Sequence, residues 1–193
     1  EIALYLDMPR WRVYENLMTQ YFAPHPLGNS ILGTSESITA LRREQMLDYF
    51  NRRYSPGNIT VVGVGNLDFD AFVDKTRRMT AHWTPYEVKR DTPRFAGSTG
   101  RKVQADAKVA REHIGYLSPA PSRQDRDRYA AELLAAVLGD STGSRLYYAL
   151  VDTALADEAG TGFHAMDGTG AFMSFISCDA VNAPRAVQVF EDE

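Results

Sequence analysis

The sequence predicts an α+β fold, and three observations carry that prediction. Residues 59–64, Ile-Thr-Val-Val-Gly-Val, form an almost unbroken β-branched run between two helical patterns, which reads as a strand buried on both faces. Residues 159–166 and 171–178 flank Asp167-Gly168-Thr169-Gly170, which reads as a hairpin with a glycine-containing loop. Amphipathic stripes of helical period recur at 42–53, 69–82 and 125–138. Helices and antiparallel strands are therefore expected in both halves of the chain.

Taken in order, residues 1–22 carry Ile2, Leu4, Tyr5, Val13, Leu17, Met18, Tyr21 and Phe22 at roughly helical spacing, with Pro9 as a kink or break. A turn-rich loop follows at 23–30, and then Ile31-Leu32-Gly33-Thr34, too short for a strand. The helix at 42–53 puts Met46, Leu47, Tyr49 and Phe50 on one stripe and is stopped by Pro56-Gly57, because proline lacks the N–H and pushes its predecessor extended. Asp68 is placed to cap the next helix, whose apolar face is Phe69, Phe72, Val73, Thr76 and Met79, expected to pack back on the 59–64 strand. Residues 83–105 lose the apolar period and gain Thr-Pro, Gly-Ser and Thr-Gly pairs, the composition of a linker. Residues 112–118 alternate as a half-buried strand before Pro119-Ala120-Pro121. The helix at 125–138 has Tyr129, Leu133, Leu134, Val137 and Leu138 as its expected buried side and is stopped by Gly139. A short helix is expected at 144–151, and a last one starts at Pro184, where the missing donor costs nothing.

Composition narrows the function. With 193 residues and 44% hydrophobic content there is enough apolar surface for one large domain or two modest ones. The net charge of −4 is small and the charges are interspersed, so neither nucleic acid nor an anionic membrane is an expected partner. The one cysteine, Cys178, excludes an internal disulfide framework and a cysteine-rich zinc site. No apolar run approaches the length needed to span a bilayer. A soluble protein of cytoplasmic or periplasmic location is expected, and the charged ends without an initiator Met read as a fragment.

Three strings could carry chemistry. Gly139-Asp140-Ser141-Thr142-Gly143 matches a nucleophile elbow literally, with Asp157 and His164 after it, but a helix precedes it where the elbow needs a strand. A turn between helices is the better reading. Gly63-Val64-Gly65 between strand and helix resembles a dinucleotide fingerprint, but the third glycine is missing and Asp68 stands where a pyrophosphate would need a bare helix N-terminus. His25, His82, His113 and His164 are scattered, with no pair one helical turn apart to share a metal.

Beyond these, a series of pieces recurs in order: Glu1 to Pro9, His25-Pro26-Leu27-Gly28, Ile31-Leu32-Gly33-Thr34, Ile38, Phe50, Tyr54 to Asn58 and Val61 to Asp68. Together they resemble the M16 family of zinc metallopeptidases, which includes pitrilysin, insulin-degrading enzyme and the mitochondrial processing peptidases. Gly139, then Ser144-Arg145-Leu146-Tyr147, Leu155-Ala156 and the 167–172 hairpin resemble the start of the family's next homologous domain. The resemblance implies two related α+β units, both incomplete, with helices packed on one face of mostly antiparallel sheets: residues 1–82 as the C-terminal half of a first domain, 83–105 as a linker, and 106–193 as the N-terminal part of a second.

The family binds zinc through an inverted His-x-x-Glu-His motif and a later glutamate, and hydrolyses peptide bonds with the motif glutamate as general base. The inverted motif does not occur in this sequence. By the resemblance, Glu1 falls at the later metal-ligand position, the plainer alternative being a solvated carboxylate at a helix N-terminus. No catalytic residue is assigned in this chain, and Val151 and Asp157 stand near the places where many relatives carry a substrate-binding Arg and Tyr. The implied function is part of a zinc endopeptidase, inactive by itself, with zinc expected only in the complete protein. The alternative is a non-catalytic M16 subunit acting as a structural or substrate-gripping partner. Peptide or protein substrates and another M16 half or subunit, with a possible dimer, are the partners implied.

Overall fold

A computed structural model describes residues 1–89 and 91–193; Arg90, inside the expected linker, lies outside the described residues. The fold is α+β, with one three-stranded antiparallel sheet. Two compact units are formed, one of Glu1–Thr34 with Thr92–Glu193 and one of Ser35–Asp91.

In the first unit, β1 (Glu112–Pro119), β2 (Glu158–Met166) and β3 (Thr169–Cys178) are ordered β1-β3-β2. The hairpin forms where its turn residues predict it, with Gly168 at φ +77°, and sets the register Glu158 to Ser177 and Met166 to Thr169. β1 joins on the other side, pairing Glu112 with Cys178 and Pro119 with Ala171. β3 is thus paired along both edges and is the most buried strand.

Helices cover both faces of this sheet, where the resemblance implied one. The chain opens with α1 (Ile2–Leu6) and breaks at Pro9, which takes the first turn of α2 (Pro9–Phe22). α2 lies on the face of β1 that carries Gly115 and Leu117, with Leu17 and Val13 in the notch that Gly115 leaves: a Cβ there would stand 2.3 Å from Leu17 Cδ1. Tyr21, Phe22 and Ala171 are buried at this seam, with Met18, Leu27, Phe95, Leu117 and Met166 around them. The opposite face packs against α6 (Arg128–Gly139), a π-helical turn at Tyr147–Val151 and α7 (Ala183–Asp192). Its core is Leu146, Leu150, Ala156, Ile176, Cys178, Ala183 and Ala186, with Tyr116 stacked on Phe190 at 4.6 Å. Fully burying Leu146 and Leu150 contributes about 2 kcal/mol each. Thr161 and Ser174, buried on this face, share a hydrogen bond of 2.7 Å and so leave neither hydroxyl unpaired.

α6 corrects the expected core. Its buried residues are Ala131, Ala135 and Gly139, while Tyr129, Leu133, Leu134 and Val137 are exposed and Leu138 is partly buried in the core. Helical period identified the helix, but two stripes competed for the sheet. The small one won because the backbones come within contact: Gly139 Cβ would stand 2.4 Å from the Thr161 nitrogen.

Residues 92–105 carry no helix or strand, in keeping with their turn-rich composition, yet they lie packed along α2. Ser98 N–H donates to the Tyr21 carbonyl at 2.8 Å, and Thr169 Oγ1 donates to the Phe95 carbonyl at 2.6 Å.

The second unit holds α3 (Ser35–Thr39), α4 (Arg43–Arg53) and α5 (Phe69–Thr80). Pro56-Gly57 ends α4 as expected, and Ser55, buried, donates to the Tyr86 carbonyl at 2.7 Å and accepts from the Tyr86 N–H at 3.0 Å. Asp68 caps α5 by accepting from Ala71 N–H at 3.0 Å. The expected strand at 59–64 is not formed. The segment lies outside any ladder among the described residues, and Val62 and Val64 are 76% and 92% exposed. A β-branched run becomes a strand only when neighbours pair with its backbone groups, and among the described residues of this unit no strand does. Among the described residues one sheet therefore stands where two were expected.

Candidate functional site

Glu1 sits at the N-cap of α1, exposed, its carbonyl accepting from Tyr5 N–H at 3.2 Å and its side chain making no capping bond. α1 is steadied on α2 by a run of rings, Tyr5 on Trp11 at 4.5 Å and Trp11 on Tyr14 at 4.9 Å, and this burial pushes the Tyr14 hydroxyl above its ordinary range. Among the described residues no three His, Cys, Asp or Glu side chains come together to hold a metal. Zinc needs three or four such ligands, so the described residues do not fit that ion by themselves.

The histidines are each occupied locally. His25 Nδ1 accepts from Leu27 N–H at 3.2 Å and its ring lies 5.3 Å from Phe95, while His82 stands edge-on to Trp83. The imidazole of His164 lies against Gly162. The Gly139–Gly143 string is a turn between helices: Gly143 adopts φ +103°, Ser141 stands beside Asp140 at 3.5 Å, and Ser144 Oγ accepts from Tyr147 N–H at 3.3 Å. The N-terminus of α5 after Gly63-Val64-Gly65 is taken up by the Asp68 carboxylate. Val151 closes the π-helical turn, and Asp157 pairs with Arg111 at 3.0 Å, which also bridges to Asp179.

One constellation was not foreseen. Register puts His113, Ser177 and Glu158 in a row across the three strands, on the face that α2 covers. Ser177 Oγ and His113 Nδ1 are 3.2 Å apart, and Arg10 of α2 reaches both Glu158 oxygens at 2.7 Å with its guanidinium over the Phe175 ring. Only the strand pairing brings these residues together, and no local spacing in the sequence could have signalled it. A hydroxyl beside an imidazole is the start of a nucleophilic pair, but the gap lined by Arg10, His113, Glu158, Phe175 and Ser177 is about 10 Å³, room for about one water. The row reads as a seam between helix and sheet, with no room for a substrate.

The titrating groups tell the same story. Arg12, 2.6 Å from Asp106, holds that carboxyl below its ordinary value, helped by the Lys108 N–H. Burial raises Tyr21 and Tyr116, and burial with the nearby acids Glu112, Asp157 and Asp179 raises the Cys178 thiol, which makes it a poor nucleophile. No helix among the described residues is long and apolar enough to cross a membrane.

Against known proteins, the model of the peptidase M16 inactive domain matches residues 40–193. A protein of Mycobacterium tuberculosis described as an uncharacterized zinc protease is 26% identical over 184 residues, covering 92% of this chain and 42% of its own length. Among solved structures, a peptidase M16 inactive domain from Pseudomonas fluorescens superposes with a TM-score of 0.77 at 19% identity, over 98% of this chain and 47% of that one. A chain of complex III2 from Candida albicans superposes at 0.71 and 19% identity, over 92% of this chain and 44% of its own. The chain therefore spans less than half the length of these proteins.

Proposed function

The chain belongs to the peptidase M16 family, and from that membership we propose that it is part of a zinc-dependent endopeptidase, inactive by itself, that supplies only one residue toward the metal centre. The observation that carries this reading is the match of residues 40–193 to the inactive-type domain. On this reading residues 1–82 are the C-terminal half of a first M16 domain, 83–105 the join, and 106–193 the N-terminal part of a second. Glu1 is the single residue assigned toward the metal, as one carboxylate ligand among others that this sequence does not supply. Peptides or proteins are the substrates, and another M16 half or subunit is the partner. In a second reading the chain belongs to a non-catalytic M16 subunit; the likeness to a chain of the multi-subunit complex III2 favours it.

Metal analysis tests both. The isolated chain is expected to carry no stoichiometric zinc, and tight zinc binding would overturn the assignment of the missing ligands. In the complete protein, Glu1→Gln is expected to lower zinc content and peptide hydrolysis together. A complete protein that holds no zinc before substitution establishes the non-catalytic reading, and unchanged zinc after Glu1→Gln returns Glu1 to the ordinary surface carboxylates.

A further inference from the structure

A ladder of polar pairs runs along one side of α2. Arg12, Asn16 and Gln20 stand one helical turn apart and share a face. Opposite them the chain comes past in the reverse sense. Arg12 Nη1 reaches Asp106 Oδ2 at 2.6 Å, and the two side chains are each only 28% exposed. Asn16 donates to Gln104 Oε1 at 3.0 Å and accepts from Lys102 Nζ at 2.6 Å. The Gln20 amide lies over Gly100, where a Cβ would come within 2.0 Å of Nε2. Gly97, at φ +82°, lies flat against the Tyr21 ring, where a Cβ would come within 2.1 Å. The Tyr21 hydroxyl donates to the Ala96 carbonyl at 3.4 Å, and Thr169 then ties Phe95 to the tip of the hairpin. From α2 a separate tie, Arg10 to Glu158, reaches β2 directly.

We propose that residues 95–106 are a clasp that mounts the Glu1–Thr34 arm on the sheet, with Arg12 and Asp106 as its positioning pair. Single exposed ion pairs contribute little, but here polar pairs in register along three turns must part together for α2 to lift. Gly97 marks the function independently of the pairs: at φ +82°, with the Tyr21 ring where a Cβ would stand, it is the point where a missing Cβ lets the clasp lie on the helix, while at Gly100 only the mobile end of Gln20 would have to move. A passive joining segment has no need of such closeness. The inactive-type domain thereby sets the bearing of α1 and of Glu1 instead of performing chemistry. This deepens the proposed function and rests on it only for what Glu1 contributes.

The test is hydrogen exchange, read by mass spectrometry on the whole chain. Asp106→Asn is expected to speed exchange of the α2 amides from Val13 to Thr19 by roughly threefold and to leave those of β3 unchanged. Asp106→Arg is expected to do so more strongly, and Arg12→Asp combined with Asp106→Arg to restore the parent rate. Unchanged α2 exchange in the single variants, equal acceleration in β3, or a swap that fails to restore would each overturn the clasp. Failure of the metal reading shows elsewhere, as unchanged zinc content in the complete Glu1→Gln protein, and does not touch these rates.

Discussion

Replacing Gly139 by Ala tests the correction at α6. The helix rests on β2 through Ala131, Ala135 and Gly139, and an added Cβ at 139 would meet Thr161 N at 2.4 Å, the Gly160 carbonyl carbon at 3.0 Å and Leu146 Cδ1 at 3.0 Å. Two of these three obstacles are backbone of a strand hydrogen-bonded to β3, which cannot turn aside. Ordinary van der Waals approach starts near 3.4 Å, so the end of the helix must rise by about 1 Å. Alanine gains about 1 kcal/mol of helix propensity over glycine, whereas overpacking of this kind costs about 1–3 kcal/mol before the looser packing of the rest of α6 is added. The clash wins, with a net loss of about 1–2 kcal/mol. In urea, followed by far-UV circular dichroism, the midpoint is expected to fall by roughly 0.5–1 M. Gly162→Ala serves as comparator, since its nearest neighbour is the movable His164 imidazole at 3.3 Å, and a change within about 0.5 kcal/mol is expected. A Gly139→Ala midpoint at or above that of the parent would refute the close approach and return the large side chains of α6 to the sheet.

Three further outcomes follow from the same packing. Leu150→Ala empties a fully buried position between the π-helical turn and α7 and is expected to cost about 2–5 kcal/mol, measured by the same unfolding curve; a loss below about 1 kcal/mol would show a core that collapses freely. Asp106 titrates lower folded than unfolded, so its contribution is complete above the ordinary carboxylate value and is lost as pH falls through the depressed one. A carbon-13 titration should therefore place its midpoint below that of a free aspartate, and Arg12→Ala should raise it; an unshifted midpoint in the parent would remove the ion pair. Cys178, fully buried with its thiol pushed up, should resist a maleimide in native buffer and react on unfolding, and rapid native labelling would show that the end of β3 opens.

Where a segment carried its own instructions, the sequence was readable. Pro9 broke the first helix, Pro56-Gly57 ended α4, Asp68 capped α5, and the Asp167–Gly170 loop set the hairpin, because each acts on backbone within a few residues. What depended on a distant partner was not readable. Residues 59–64 have the side chains of a strand but no partner strand among the described residues, although Gly63 lies against Leu67 and Phe72, and α6 offered two apolar stripes between which only the depth of Gly160 and Thr161 could choose. The row of His113, Ser177 and Glu158 needed the β1-β3-β2 order, which no local pattern encodes. Glu1 stood out by resemblance alone, and nothing around its side chain adds to that.

The strand order also has a consequence for how the molecule is made. β3 is central in the sheet but follows both of its neighbours in the chain, so β1 waits unpaired while the ribosome synthesises everything from Ala120 to Cys178. The β2–β3 hairpin pairs locally, whereas β1 must close a long loop to reach β3. α2 thus leaves the ribosome before any strand of the sheet, and until β1 and β3 follow it Tyr21, Phe22 and Leu17 lack the strands that cover them.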